Sequence, residues 1–264
     1  MDQSTIHPYY FTSTIDSLTT TQDASGNSFQ AAVFHAPPIG AAPAIALTSA
    51  ASGLAGAMAA GSIVSAWGSQ LGTNTAGTTV SVRDYAGTSL SASVTYASPS
   101  QVNFRIPPGA ASGAASLSIT SAGTVTTASV QIAAVSPGIF QLNSTGLAAA
   151  QVARVKSGQA TVLEAVYQVG AGNVVQPLPI DLGPATDAVY LSLFATGLEN
   201  AKSVVVSVGG QTVPVLYAGI QGTYDGLDQV NVGPVPRSLA GSGRVNIVLT
   251  ADGQTANPVE LAIK

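Results

Sequence analysis

Asp225-Gly-Leu-Asp228 sets two carboxylates on one short, glycine-containing turn. A hard cation such as calcium takes six or more oxygen ligands, often from such a loop, and two carboxylates are fewer than that chemistry needs. Asp228 is therefore expected to accept backbone N–H bonds in a tight loop, as aspartate commonly does. Gln101 with Asn103 and Gln229 with Asn231 form a second constellation, at equivalent places in two similar stretches. A ligand role would require two equal ligand sites. The simpler expectation is structural, with the amides satisfying loop backbone groups beside Pro107 and Pro236, where proline removes a donor.

Nucleophilic and metal chemistry find little material. There is no cysteine, which removes thiolate catalysis and cysteine metal sites, and the two histidines, His7 and His35, both precede the bulk of the chain. A two-histidine metal site or a Ser-His-Asp triad would need one of them. Paired carboxylates for glycoside hydrolysis depend on a separation in space that spacing along the chain does not give. No enzyme, cofactor or metal is expected.

The aromatic residues are unevenly placed. Tyr9, Tyr10, Phe11, Phe29 and Phe34 crowd the first 45 residues. With Tyr224 they are candidates for a sugar-stacking platform, Tyr9, Tyr10 and Tyr224 being the contacts to test. The segment could instead donate a strand to a neighbouring subunit. The plainer reading is an extra strand or arm that closes the first domain, because aromatics are mostly buried. Trp67, the single tryptophan, reads as core.

The elements that must position these residues follow from composition and repetition. Hydrophobic residues make up 46% of the 264-residue chain and aromatics 6%, so any core is filled by Val, Ile, Leu and Ala. Charged residues are only 8%, which leaves a polar but nearly uncharged surface. The basic residues are scattered and the net charge is −4, so nothing offers a cationic track to a phosphate backbone and nucleic acid is not an expected partner. The uncharged run from His35 to Arg83 is too rich in Ala, Gly, Ser and Pro to be expected to span a membrane. Residues 1–7 have neither the basic stretch nor the apolar core of an export signal, so any such signal is expected to have been removed or to lie upstream.

An internal repeat organises the chain. Gly61–Leu71 parallels Ala188–Leu198, Val94-Thr-Tyr96-Ala parallels Val215-Leu-Tyr217-Ala, and Gln101-Val-Asn103 parallels Gln229-Val-Asn231. Leu117-Ser-Ile119 and Val130-Gln-Ile132 match Val245-Asn-Ile247 and Val259-Glu-Leu261 in the same order, and extra residues enter the second copy around Gly222–Gly226. Each segment alternates with period two, as in Leu90, Ala92, Val94 and Tyr96, or Val213, Val215 and Tyr217, which describes strands with one buried face. Ser121-Ala-Gly123, Gly209-Gly210 and Asp252-Gly253 supply hairpin turns. The fold class is all-β: two tandem immunoglobulin-like (IPT/TIG-like) β-sandwich domains with a β-rich connector. The expected divisions are residues 1–45 as an N-terminal arm or extra strands, 46–134 as the first sandwich, 135–187 as the connector and 188–264 as the second sandwich.

Gly61-Ser-Ile-Val-Ser, Pro99-Ser-Gln-Val-Asn-Phe104, Ser136-Pro-Gly-Ile-Phe140, Leu193-Phe-Ala-Thr-Gly-Leu198, Gly226-Leu-Asp-Gln-Val-Asn231 and Asn257-Pro-Val together resemble the uncharacterised Solibacter-type C-terminal domain of secreted acidobacterial proteins. Ala60 and Ala195 depart from that pattern, where proline and glycine are usual; both are small-residue turn positions. The resemblance implies an exported, modular bacterial protein with Ig-like folds, and it carries over no activity and no site residue. The expected function is a non-catalytic extracellular or cell-surface module, structural or adhesive. It is expected to pair with itself or with a cell-surface protein, since low surface charge and strand edges poor in lysine leave little to prevent pairing. The alternative is a carbohydrate-binding accessory domain of a secreted polysaccharide-acting protein.

Overall fold

The computed structural model describes the backbone of residues 14–22 and 28–35 and the whole of residues 45–264. The chain forms two bodies, 1–42 and 43–264. In the first, strands β1 (Thr14–Gln22) and β2 (Ser28–His35) pair antiparallel from Thr14 opposite His35 to Gln22 opposite Ser28, with an irregularity between Ile15 and Ser17. Tyr9 and Tyr10 lie outside the described residues.

The second body holds two β-sandwiches, and no α-helix occurs among the described residues. The first sandwich comprises β3 (Ala46–Ser49), β4 (Met58–Ala59), β5 (Ile63–Trp67), β6 (Thr78–Arg83), β7 (Ser89–Ala97), β8 (Gln101–Arg105), β9 (Gly113–Ser121) and β10 (Thr124–Ala133). They hydrogen-bond in the order β3-β5-β8-β7-β6-β9-β10-β4. The first half of β7 pairs with β6 and its second half with β8, so this strand passes from one layer to the other. Val64, Ala66, Val82, Val102, Phe104, Ile106, Leu117 and Ile119 fill the space between the layers. Burying a large aliphatic or aromatic side chain of this kind contributes roughly 1.5–3 kcal/mol.

The second sandwich contains β11 (Gly138–Ile139), β12 (Ala150–Lys156), β13 (Val162–Ala165), β14 (Tyr167–Val169), β15 (Val175–Pro177), β16 (Asp187–Thr196), β17 (Val204–Val208), β18 (Gln211–Val213), β19 (Val215–Ile220), β20 (Asp228–Val232), β21 (Gly243–Ala251), β22 (Gln254–Thr255) and β23 (Val259–Ile263). One layer runs β13-β12-β16-β20-β19 and the other is built on β17, β21 and β23. The three glycine-containing turns expected from the sequence join β9 to β10, β17 to β18 and β21 to β22, each with two successive residues at positive φ.

Three sequence expectations are corrected. Residues 135–187 are not a connector between domains but part of the second sandwich. Strand β12 pairs with β16 from Ala150 opposite Leu193 to Lys156 opposite Asp187, and Ile139, Leu147, Val152, Val166, Ile180 and Leu182 are buried in the second core. β12 stands to β16 as β3 stands to β5, a correspondence of pairing that left no trace in residue identity. Tyr96 and Tyr217 do not continue the buried face of their strands: irregularities between Val94 and Tyr96 and between Val215 and Tyr217 turn both outward. A β-bulge adds one residue to one strand and so inverts the alternation beyond it. Trp67 ends β5 on the outer face, 43% exposed, instead of entering the core.

Candidate functional site

Two features distinguish the second body: a polar seam between the sandwiches and a constellation of side chains that recurs on the outer face of each.

The seam is made where β5 and β8 of the first sandwich meet β16 and the loop before β20 of the second. The Arg105 guanidinium donates to Glu199 at 2.7 Å, to Asp225, and to the Gly61 carbonyl at 3.1 Å. Ile63 N donates to Thr196 Oγ1 at 2.9 Å, and that hydroxyl donates to the Gly226 carbonyl at 2.8 Å. Ser136 ties both sides, its N–H to Gly197 O at 3.1 Å and its hydroxyl to Ala57 O at 2.6 Å. Gly61 has φ +85°, which favours glycine, and a Cβ there would stand 2.0 Å from Glu199 Oε2 and displace the carboxylate that Arg105 holds. Asn257 holds the incoming segment from behind, accepting from Ile139 N at 2.8 Å and donating to Ile139 O at 3.0 Å. The seam is thus assembled from the glycine, serine and threonine motifs of the repeat.

Asp228 does accept a backbone N–H, but from Leu198 at 2.7 Å, just beyond the end of β16 in the same sandwich, rather than from its own loop. Burial raises its pKa to about 6, and the neighbouring Glu199 charge adds to the shift; the Leu198 and Gly197 N–H groups and Arg105 act against it. Asp225 faces Arg105, so the two carboxylates of the supposed cation loop serve different partners. Among the described residues no group of three or more His, Asp or Glu side chains is gathered.

Gln101, Asn103, Gln229 and Asn231 lie on strands, not in loops beside Pro107 and Pro236. Their side chains alternate with the core residues Val102, Phe104, Val230 and Val232 and so point to the outer face. Gln101 Nε2 donates to Asn103 Oδ1 at 2.8 Å, and Gln229 Nε2 donates to Asn231 Oδ1 at 2.8 Å. Around each amide pair the same neighbours stand in the same register. Trp67 is opposite Gln101 and Phe194 opposite Gln229; Ser65 is opposite Asn103 and Ser192 opposite Asn231. The bulges complete each group by placing Tyr96 opposite Asn103 and Tyr217 opposite Asn231, 48% and 44% exposed. The Trp67 indole N–H donates to Thr48 Oγ1 at 3.0 Å, which fixes the ring on the outside. In the second copy a depression of about 340 Å³ adjoins the group, lined by Gln151, Leu163, Tyr167 and Phe194. Tyr224, expected as a ligand contact, is 68% exposed in the loop before β20. Trp67, Tyr96, Phe194 and Tyr217 were missed; the recurrence of Val-x-Tyr shortly before Gln-Val-Asn in both copies was the available signal.

No protein-family model matches the chain, and no curated protein does. Among solved structures, one similar chain is SGBP-B of the Bacteroides ovatus mixed-linkage glucan utilization locus, in complex with a mixed-linkage heptasaccharide. It is 14% identical, with 93% of this chain and 51% of that one covered and a TM-score of 0.34. The present chain therefore spans about half the length of that protein. Others are a pair of tandem Ig domains of titin, 10% identical with 83% and 96% covered and a TM-score of 0.22, and a tetra-tandem repeat from the extending region of a large adhesion protein, 13% identical with 93% and 80% covered and a TM-score of 0.25. With all three scores below 0.5, none lends this chain a ligand or a partner.

Proposed function

We propose that this chain is a non-catalytic, exported structural or adhesive module in which two Ig-like sandwiches act as one rigid body. The observation that carries the reading is the Arg105 cluster. One guanidinium, largely shielded from solvent, joins a carbonyl of its own sandwich to two carboxylates of the other, so the angle between the sandwiches is set by directional charge-assisted bonds. A flexible linker would leave such angles open.

The use of the acids supports the non-catalytic part. Glu164 and Asp187 serve Arg154, Asp84 caps Thr88 and Ala111, Asp252 caps Lys202 and Ser203, and Glu260 and Asp181 pair with Arg244 and Lys264. Each is spent on structure. Export agrees with the nearly uncharged surface and with the resemblance to the Solibacter-type domain, and no helix of the described residues is long and apolar enough to cross a membrane. Backbone 15N relaxation tests the proposal. A single rotational diffusion tensor is expected to fit the amides of residues 46–134 and 136–264, and Arg105→Ala is expected to split it in two. Two independent tensors in the unaltered chain would end the rigid-module reading.

A further inference from the structure

We infer that the duplicated aromatic and amide constellation is a pair of equivalent binding sites, one per sandwich, for an uncharged linear polysaccharide. Each group sets an aromatic ring, Trp67 or Phe194, across from a glutamine whose amide is tied to an asparagine in the next row. A flat ring fits the C–H face of a pyranose, and a fixed planar amide offers donor and acceptor side by side to neighbouring hydroxyls. The internal bond from Gln101 to Asn103 orients the pair. It leaves the glutamine carbonyl and the asparagine amino group without a protein partner among the described residues, and the Gln229 and Asn231 pair repeats this.

The bulges point the same way. A regular alternation would bury Tyr96 and Tyr217, yet both strands interrupt their ladders at the same place to expose them. Charge decides the class of polymer. Arg105, on the same strand and face as Gln101 and Asn103, is committed to Glu199 and Asp225, and Glu164 beside the Phe194 depression is committed to Arg154, so among the described residues these ionic groups are already paired and an uncharged polymer is the better fit.

The two sites belong to one body. Ile63 and Thr196 are hydrogen-bonded, so at about 3.3 Å per strand residue Ser65 and Ser192 stand no more than about 27 Å apart. Two equal sites at a fixed separation suit a ligand that repeats the same unit along its length, and they gain avidity from binding twice.

Affinity electrophoresis of the full chain through native gels containing hydroxyethylcellulose, galactomannan or laminarin tests this, with carboxymethylcellulose as the charged comparison. Retardation by at least one of the three neutral polymers is expected. Trp67→Ala or Phe194→Ala should weaken it at least tenfold and the double variant should abolish it, with the circular dichroism spectrum unchanged. The pair Tyr96→Ser and Tyr217→Ser, on the same outer face, provides a second double variant with the same expected loss. The idea fails if no neutral polymer retards the chain, if only the charged one does, or if both double variants are retained like the parent. It fails equally if sedimentation shows a dimer that both double variants dissolve, which would give the face to a second copy. A single-variant loss of only about twofold, with full loss in the doubles, would uphold the sites and place the failure in the rigid coupling on which the avidity rests.

Discussion

Asp228 is the residue whose environment costs the most. Its carboxyl is buried at the seam beside Glu199, and its pKa of about 6 exceeds the unfolded value near 3.9 by about two units. A raised carboxyl pKa means that the folded state holds the proton more tightly, so stability falls as pH rises through the interval from about 4 to about 6 and is level above it. The size of that loss is about 3 kcal/mol. Asp84 and Glu164, whose pKa values are lowered by backbone N–H groups and by Arg154, oppose this by losing their stabilisation as pH falls through the acid range. Subtracting a variant isolates Asp228. Asp228→Asn keeps an oxygen for the Leu198 N–H and removes the charge, so urea unfolding at pH 4 and pH 7 should show the variant gaining about 2 kcal/mol on the parent between the two, part of the loss lying below pH 4. A pH-independent difference would mean that the carboxyl is already solvated or paired in the native state.

At the scale of elements, local chemistry was legible and pairing was not. The period-two runs and the turns at Gly123, Gly210 and Gly253 encode strands and hairpins in adjacent residues, so those elements stand where the sequence placed them. A bulge exists only relative to a partner strand, so nothing in Val94-Thr-Tyr96 alone announced that Tyr96 would face out, and the candidate site stayed hidden with it. The amide pairs were noticed but assigned to loops, because a strand at Gln101–Arg105 followed by Pro107 reads much like the entry to a turn. The loop Gln221–Leu227 offers a test of how tightly elements are seated. Gly222 and Gly226 both have positive φ, but a Cβ on Gly226 would lie 2.7 Å from Ile63 Cγ1 and 3.1 Å from the Gly61 carbonyl, whereas Gly222 faces open space. Each alanine should carry the common backbone penalty of about 1 kcal/mol, and Gly226→Ala about 1–2 kcal/mol more in chemical denaturation. Equal effects would show that the loop can retreat from the first sandwich without cost.

For the whole molecule, the boundary between sandwiches is where function and folding meet. If β12 and its neighbours complete the second sandwich, a cut after residue 134 separates two cores, each with both of its layers, whereas a cut after residue 187 strips the second core of Ile139, Leu147, Val152, Val166, Ile180 and Leu182. At roughly 1.5–3 kcal/mol for each large buried side chain, that loss is as large as the roughly 5–15 kcal/mol by which domains are usually stable. Residues 135–264 should therefore give dispersed amide resonances and a cooperative melt, and residues 188–264 should not. The isolated second sandwich should also melt below the intact chain, because Glu199 and Asp225 lose Arg105 and the Thr196 hydroxyl loses Ile63. A fragment 188–264 that folded cooperatively would restore the connector to the role of a spacer. It would also move the origin of the rigid angle from the seam to the packing of that spacer against both domains.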